Sequence, residues 1–147
     1  MYKRMLVPLD GSGQSETILP FVEQMAGPLD VEVVLLHVIE PPSASEVIAS
    51  AGLMSPDAWR MKELEAKRYL AGLERRLAEK GLRVQRRLQI GQAANEILAT
   101  VTESGADLIA MTTRGHSGIT RFLFGSVAEA VLRASPVPVL IFRGAGA

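Results

Sequence analysis

The sequence predicts an α/β domain with a doubly wound, five-stranded parallel sheet in the order 3-2-1-4-5. Three observations predict it. Short apolar runs alternate with amphipathic segments along the chain, the pattern of repeated strand–helix–strand units. Four of the five runs are almost continuously apolar, as strands buried on both faces are. Right-handed crossovers between parallel strands leave few topologies, and this order is the favoured one.

Each element follows from its residues. Met5–Leu9 (MLVPL) reads as the first strand. The helix after it, about Gln14 to Met25, contains Pro20, which removes one backbone donor and is expected to bend it. Val31–Ile39 is the second strand, and the proline-, serine- and alanine-rich stretch from Glu40 to Met54 reads as a surface excursion with one helical turn. A long helix opens with Ser55 as cap and Pro56 at its first position and closes on Gly81. Ala66, Leu70, Leu73 and Leu77 fall on one of its faces. In the third strand, Leu82–Ile90, apolar residues alternate with arginines, which places it toward an edge. The next helix groups Ala94, Ile97, Leu98 and Val101 on one side and ends at Gly105. Asp107–Thr113 is the fourth strand. The last helix shows a capping box from Ser126 to Glu129 and stops before Pro136, and Val137–Phe142 is the fifth strand. No repeat or linker interrupts the pattern, so residues 1–147 are expected to form a single domain.

Composition bounds the function. The 147 residues are 48% hydrophobic and 22% charged, with zero net charge. No global field therefore draws the chain to nucleic acid or an anionic membrane. The Arg75-Arg76 and Arg86-Arg87 pairs lack interleaved aromatics and read as solvated faces, so no nucleic-acid partner is expected. The absence of cysteine excludes a disulfide framework and thiolate chemistry. The first apolar run ends at Pro8 and Asp10, too short for a secretion signal, and no run approaches a membrane span. The expectation is a cytoplasmic protein without a membrane partner.

In a sheet of this order the strand sequence reverses between strands 1 and 4, and ligands sit outside the carboxyl ends there. Two glycine-bearing loops meet at that place: PLDGSGQS after strand 1, and the segment from Thr112 to Ser126 after strand 4. The head of the last helix offers the amides of Ser126, Val127 and Ala128 with the positive end of its dipole, and Gly125 admits an anion closely. That is a phosphate site in physical principle. The Ser126 hydroxyl either caps the helix or meets the anion. Asp10 either accepts from ribose hydroxyls or an adenine amine, or forms an Asx-turn or caps the helix that follows; Gly11 and Ser12 belong to the same candidate binding loop. Pro8 and Val38 form an apolar shelf for a base or are plain core. His37 reads as a satisfied core histidine. His116 touches a phosphate or faces solvent, and Arg114 and Arg121 neutralise phosphate charge or are solvated.

The stretches MLVPLDGS, LLHVIEPP, GQAANEI and TTRGHSGITRFLFGSVAEAVLRASPVPVLIFR resemble the universal stress protein family from Tyr2 to Arg143. The nucleotide-binding branch of that family carries a glycine, two residues, a glycine, nine residues, then glycine and serine or threonine. Gly115, Gly125 and Ser126 match, whereas Thr112 stands in place of the first glycine. The resemblance implies a Rossmann-like fold of the adenine nucleotide alpha hydrolase type. It further implies that Pro8, Leu9, Asp10 and Val38 surround adenine and ribose. Met111, Thr112, Thr113, Gly115, Gly125, Ser126 and Val127 would wrap the phosphates of ATP, ADP or AMP, with Mg²⁺ or Mn²⁺ bridging phosphate oxygens. A β-branched residue at 112 holds a side chain where the phosphates approach, which weakens the case for ATP over a smaller adenine nucleotide. A homodimer through Val137–Phe142 is implied as well. Independently, Pro138 sits near the start of an apolar terminal strand, a position proline takes on edges, and such an edge needs cover.

No catalytic constellation assembles. The sequence has no GxxxxGK[ST] loop, no GxSxG elbow and no His/Cys/Glu metal cluster, and one acid near the phosphates is too few for efficient phosphoryl transfer. The reading is an adenine-nucleotide-binding regulatory or protective protein with affinity in the micromolar range, about −8 kcal/mol, and at most slow hydrolysis. Two alternatives stand beside it: a module of the same fold that binds no nucleotide, and a weak ATPase that phosphorylates itself at Ser126 or a nearby hydroxyl. A phosphoacceptor receiver domain fits poorly, because Asp10 is alone and strand 3 ends in Ile90-Gly91 rather than aspartate.

Overall fold

The computed structural model describes residues 1–49, 55–113 and 125–143. Along these residues run β1 (Arg4–Leu9), a short 3-10 turn (Ser15–Ile18), α1 (Leu19–Leu29), β2 (Glu32–Ile39), α2 (Ala44–Ala49) and α3 (Pro56–Glu79). They continue with β3 (Val84–Ile90), α4 (Ala93–Ser104), β4 (Leu108–Thr112), α5 (Gly125–Ala134) and β5 (Val139–Phe142). The strands form one parallel sheet in the order β3-β2-β1-β4-β5, as the sequence predicts.

Strand residues alternate between two cores because successive side chains leave a strand on opposite faces. Met5, Val7, Val33 and Leu35 pack with Ile18, Val22, Leu70 and Leu77, so the 3-10 turn, α1 and α3 cover one face. Leu6, Val34, Leu36 and Ile109 pack with Ala94, Ile97, Val101, Ala128 and Val131, so α4 and α5 cover the other. Between two covered faces, β1, β2 and β4 must be nearly continuous in apolar residues. β3 is an edge strand, half-buried along most of its length, which explains its arginines.

Three local expectations are corrected. Pro20 does not bend a helix interior: a 3-10 turn precedes α1, and Pro20 occupies the first turn of α1, where no intrahelical donor is needed. Pro28 is the proline inside that helix. The Ser126–Glu129 capping box does not form, because α5 already includes Gly125 and the Glu129 carboxylate binds Arg133 at 2.7 Å one turn on. The last strand begins at Val139 rather than Val137. The Ser135 hydroxyl donates to the Val137 carbonyl at 2.6 Å and accepts from its N–H at 3.1 Å, which ties residues 135–137 into a turn. The cap at α3 is as read, with Ser55 Oγ accepting from Ala58 N–H at 3.1 Å.

Candidate functional site

The carboxyl ends of β1, β2 and β4 and the amino ends of α4 and α5 enclose a crevice of about 930 Å³. Parallel strands put every carboxyl end on the same side, so this location follows from topology. Pro8, Leu9, Asp10 and Ser12 line it from the end of β1 and the turn beyond, and Val38 from β2. Met111 and Thr112 line it from β4, Thr113 from the residue after it, and Gly125, Ser126 and Val127 from the head of α5. The turn after β1 and the described ends of the second glycine-bearing segment thus open on one space. Arg114, Gly115, His116 and Arg121 lie outside the described residues.

The turn after β1 is built by its own side chains. Asp10 Oδ1 accepts from Ser12 N–H at 2.9 Å and from Ser12 Oγ–H at 2.5 Å, so the Asx-turn is formed. Ser12 Oγ accepts in turn from Ser15 N–H at 3.1 Å, and Ser15 Oγ donates to the Ser12 carbonyl at 2.9 Å. Gly11 is held at φ +89°, a left-handed conformation that residues with a Cβ avoid. The aspartate therefore organises its turn and remains exposed at the crevice rim.

Beneath this turn lies His37, half-buried and part of the crevice wall rather than of the closed core. Its Nδ1 is 2.8 Å from the Leu9 carbonyl oxygen. A carbonyl only accepts, so Nδ1 carries a proton and donates it to Leu9. Tyr69 of α3 meets the imidazole edge-on, with centroids 5.8 Å apart at 66°, and donates its hydroxyl to Glu16 Oε2 at 3.0 Å. Burial, then the charge of Glu16, raises the Tyr69 pKa far above its ordinary value, so the phenol stays a donor. This bond ties α3 to the 3-10 turn that follows the Asp10 loop. Tyr69→Phe is expected to lower unfolding free energy by about 1.5 kcal/mol, the worth of a hydrogen bond to a charged acceptor. Denaturant titration measures it.

The two helix heads at the crevice differ. At α4, the Ala93 N–H donates to Glu40 Oε1 at 2.9 Å, so a carboxylate of the chain itself already occupies that head. At α5 the first turn carries no acidic side chain, Ser126 is exposed, and Gly125 sits at φ +65°. Main-chain amides and dipole there suit an external anion. Thr112 closes β4 in register with Phe142, and among the described residues the only non-glycine at positive φ is Asp30. Position 112 therefore makes no backbone demand for glycine, and the threonine adds only its side chain to the wall.

Sequence reasoning missed one wall. Leu36, Ile39, Glu40, Lys62, Gln92–Ala94 and Ile97 also line the crevice. Ala94 and Ile97 were legible as a helix face, but nothing in their spacing says that the face ends at a cavity. Lys62, whose ammonium lies 5.9 Å from the Trp59 ring centroid, is one of many charges on a long amphipathic helix.

The family model described as "Universal stress protein family" matches residues 1–143. The chain belongs to the universal stress protein family. It is similar to the universal stress protein MJ0531 of Methanocaldococcus jannaschii, at 31% identity over 97% of this chain and 83% of that one. It is also similar to the solved structure of MJ0577 from the same organism, with TM-score 0.78 and 29% identity over 97% of this chain and 96% of that one. A universal stress protein solved in complex with cAMP shares the fold, at TM-score 0.72 and 22% identity over 97% of both chains. So does one from Archaeoglobus fulgidus solved with dAMP, at TM-score 0.67 and 21% identity over 95% and 97%. Among the described residues of this universal stress protein no helix is long and apolar enough to cross a membrane.

Proposed function

We propose that this universal stress protein binds an adenine nucleotide in the crevice, with the phosphates at the head of α5 and the base between the end of β2 and α4. The observation that carries the reading is the difference between the two helix heads: α4 is closed by Glu40, while α5 opens with Gly125 at φ +65° and no acid in its first turn. An anion entering the crevice is directed to α5. Apolar Pro8, Val38 and Ile97 supply walls for the base, and Asp10 stands at the rim where ribose hydroxyls would lie. That two proteins of this fold are solved with cAMP and with dAMP agrees with the choice of an adenylate.

A divalent ion fits as a companion of the phosphates. Among the described residues no group of three or more His, Cys, Asp or Glu could hold one, so Mg²⁺ or Mn²⁺ would be held by phosphate oxygens, and it would neutralise their charge. The role in this reading is regulatory or protective binding with at most slow hydrolysis. Titration calorimetry with ATP, ADP and AMP, each with and without Mg²⁺, tests this. A micromolar dissociation constant for at least one nucleotide is expected, and no heat from any of the three overturns the reading.

The same proposal includes a homodimer through β5. The Pro138 and Phe142 carbonyls accept from Ile109 and Thr113 N–H at 3.0 and 3.1 Å, so the main chain of Val139 and Ile141 turns toward the open edge. Pairing with a second copy would satisfy those groups. Ile141→Pro removes one outward N–H while leaving the β4 ladder its partners. The wild type is expected near twice 15.8 kDa by sedimentation and the variant near the single mass; a wild-type monomer overturns the dimer.

A further inference from the structure

We infer that Tyr69 is a positioning residue for the nucleotide: from α3, outside the crevice lining, it holds the Asp10 turn in the shape that meets the ribose. The inference rests on the nucleotide reading above and deepens it. Asp10, Gly11, Ser12 and Gly13 are all exposed, so core packing does not order them. Two of the four are glycines, the residues that lose most entropy on ordering. The bonds within the turn therefore need firm supports at its two ends.

At the near end, His37 Nδ1 donates to the Leu9 carbonyl at 2.8 Å. The same ring lies beneath Gly11, with Cε1 3.9 Å from where a Cβ of residue 11 would stand. At the far end, Ser15 Oγ accepts from Asp10 N–H at 3.3 Å, and Glu16 is the next residue of the 3-10 turn. One side chain touches both supports. The Tyr69 ring meets the His37 imidazole edge-on, and its hydroxyl donates to Glu16 Oε2 at 3.0 Å. Tyr69 packs against the core beneath α3, so the phenol carries the rigidity of that layer to both ends of the turn, yet it lines no part of the crevice. The ordering entropy of the turn is then lost on folding rather than on binding, which raises affinity. The effect passes through Asp10, so it concerns the ribose hydroxyls and not the phosphates at α5.

The test is calorimetry with ATP and with 2′,3′-dideoxy-ATP, which lacks both ribose hydroxyls. The wild type is expected to bind ATP about fivefold more tightly than the dideoxy analogue, as loss of hydrogen bonds to a carboxylate implies. Tyr69→Phe keeps the ring on His37 and removes only the hydroxyl. It is expected to weaken ATP about fivefold and the dideoxy analogue less than twofold. Glu16→Gln keeps an acceptor for the phenol and is expected to bind ATP within twofold of the wild type. Glu16→Ala is expected to reproduce Tyr69→Phe, and the two together to add nothing, because both cut one link. Equal binding of ATP and its dideoxy analogue by the wild type, or a Tyr69→Phe affinity for ATP within twofold of wild type, overturns the inference while nucleotide binding stands. So does an equal loss for both nucleotides in Tyr69→Phe, which marks a role in the fold alone. No heat from either nucleotide with the wild type overturns the nucleotide reading itself.

Discussion

Gly125→Val is expected to reduce nucleotide affinity at least tenfold, or about 1.4 kcal/mol, while leaving the domain folded. Two effects act at one atom. Gly125 sits at φ +65°, where a β-branched residue is strained by about 1–3 kcal/mol. Relief of that strain turns the first amides of α5 away from the crevice. The added isopropyl group also lies where a phosphate must approach the main chain. The rest of α5 holds its place through Ala128 and Val131, both buried in the second core, so the loss should appear in binding before it appears in fold. Calorimetry and a denaturation curve on the same preparation separate the two. Gly125→Ala divides the causes further, since it keeps most of the backbone strain with little of the bulk. Unchanged affinity in a folded Gly125→Val protein would place the phosphates elsewhere.

What could be read from the residues follows a physical line. The sheet order was legible because apolar runs buried on both faces, as in Val33–Leu36, differ visibly from the alternating, arginine-bearing Val84–Ile90 of the edge. The loop half of the crevice was legible because glycine and aspartate mark unusual backbone, and both Gly11 and Gly125 take positive φ. The α4 half was not. Ala94 and Ile97 belong to the core cluster and to the crevice wall at once, and one apolar pattern serves both duties. Glu40 follows a strand in a proline-rich stretch, and its pairing with Ala93, 53 residues on, is set by the β2–β3 register rather than by local spacing. The capping-box pattern misled for a different reason. A helix that begins on a left-handed glycine has already passed Ser126, and the Glu129 carboxylate finds Arg133 on its own helix.

The largest expected effect on stability is Leu35→Ala, at about 3 kcal/mol, within the 2–5 kcal/mol range of such truncations. Leu35 has no exposed surface. It pairs in register with Val7 on one side and Arg86 on the other, so strands on both sides hold its backbone and the sheet cannot collapse into the void. Its side chain enters the core beneath α1 and α3 with Leu70 and Leu77, whereas its neighbour Leu36 enters the other core and reaches the crevice. The truncation should therefore weaken the fold without touching the proposed site. Against a total stability of about 5–15 kcal/mol, the variant remains mostly folded at 25 °C, and its nucleotide affinity there is expected to match the wild type. Leu29→Ala makes the comparison: Leu29 is 55% exposed, and its loss should cost under about 0.5 kcal/mol. If Leu35→Ala lowered affinity along with stability, the core beneath α1 and α3 would be coupled to the crevice through β2.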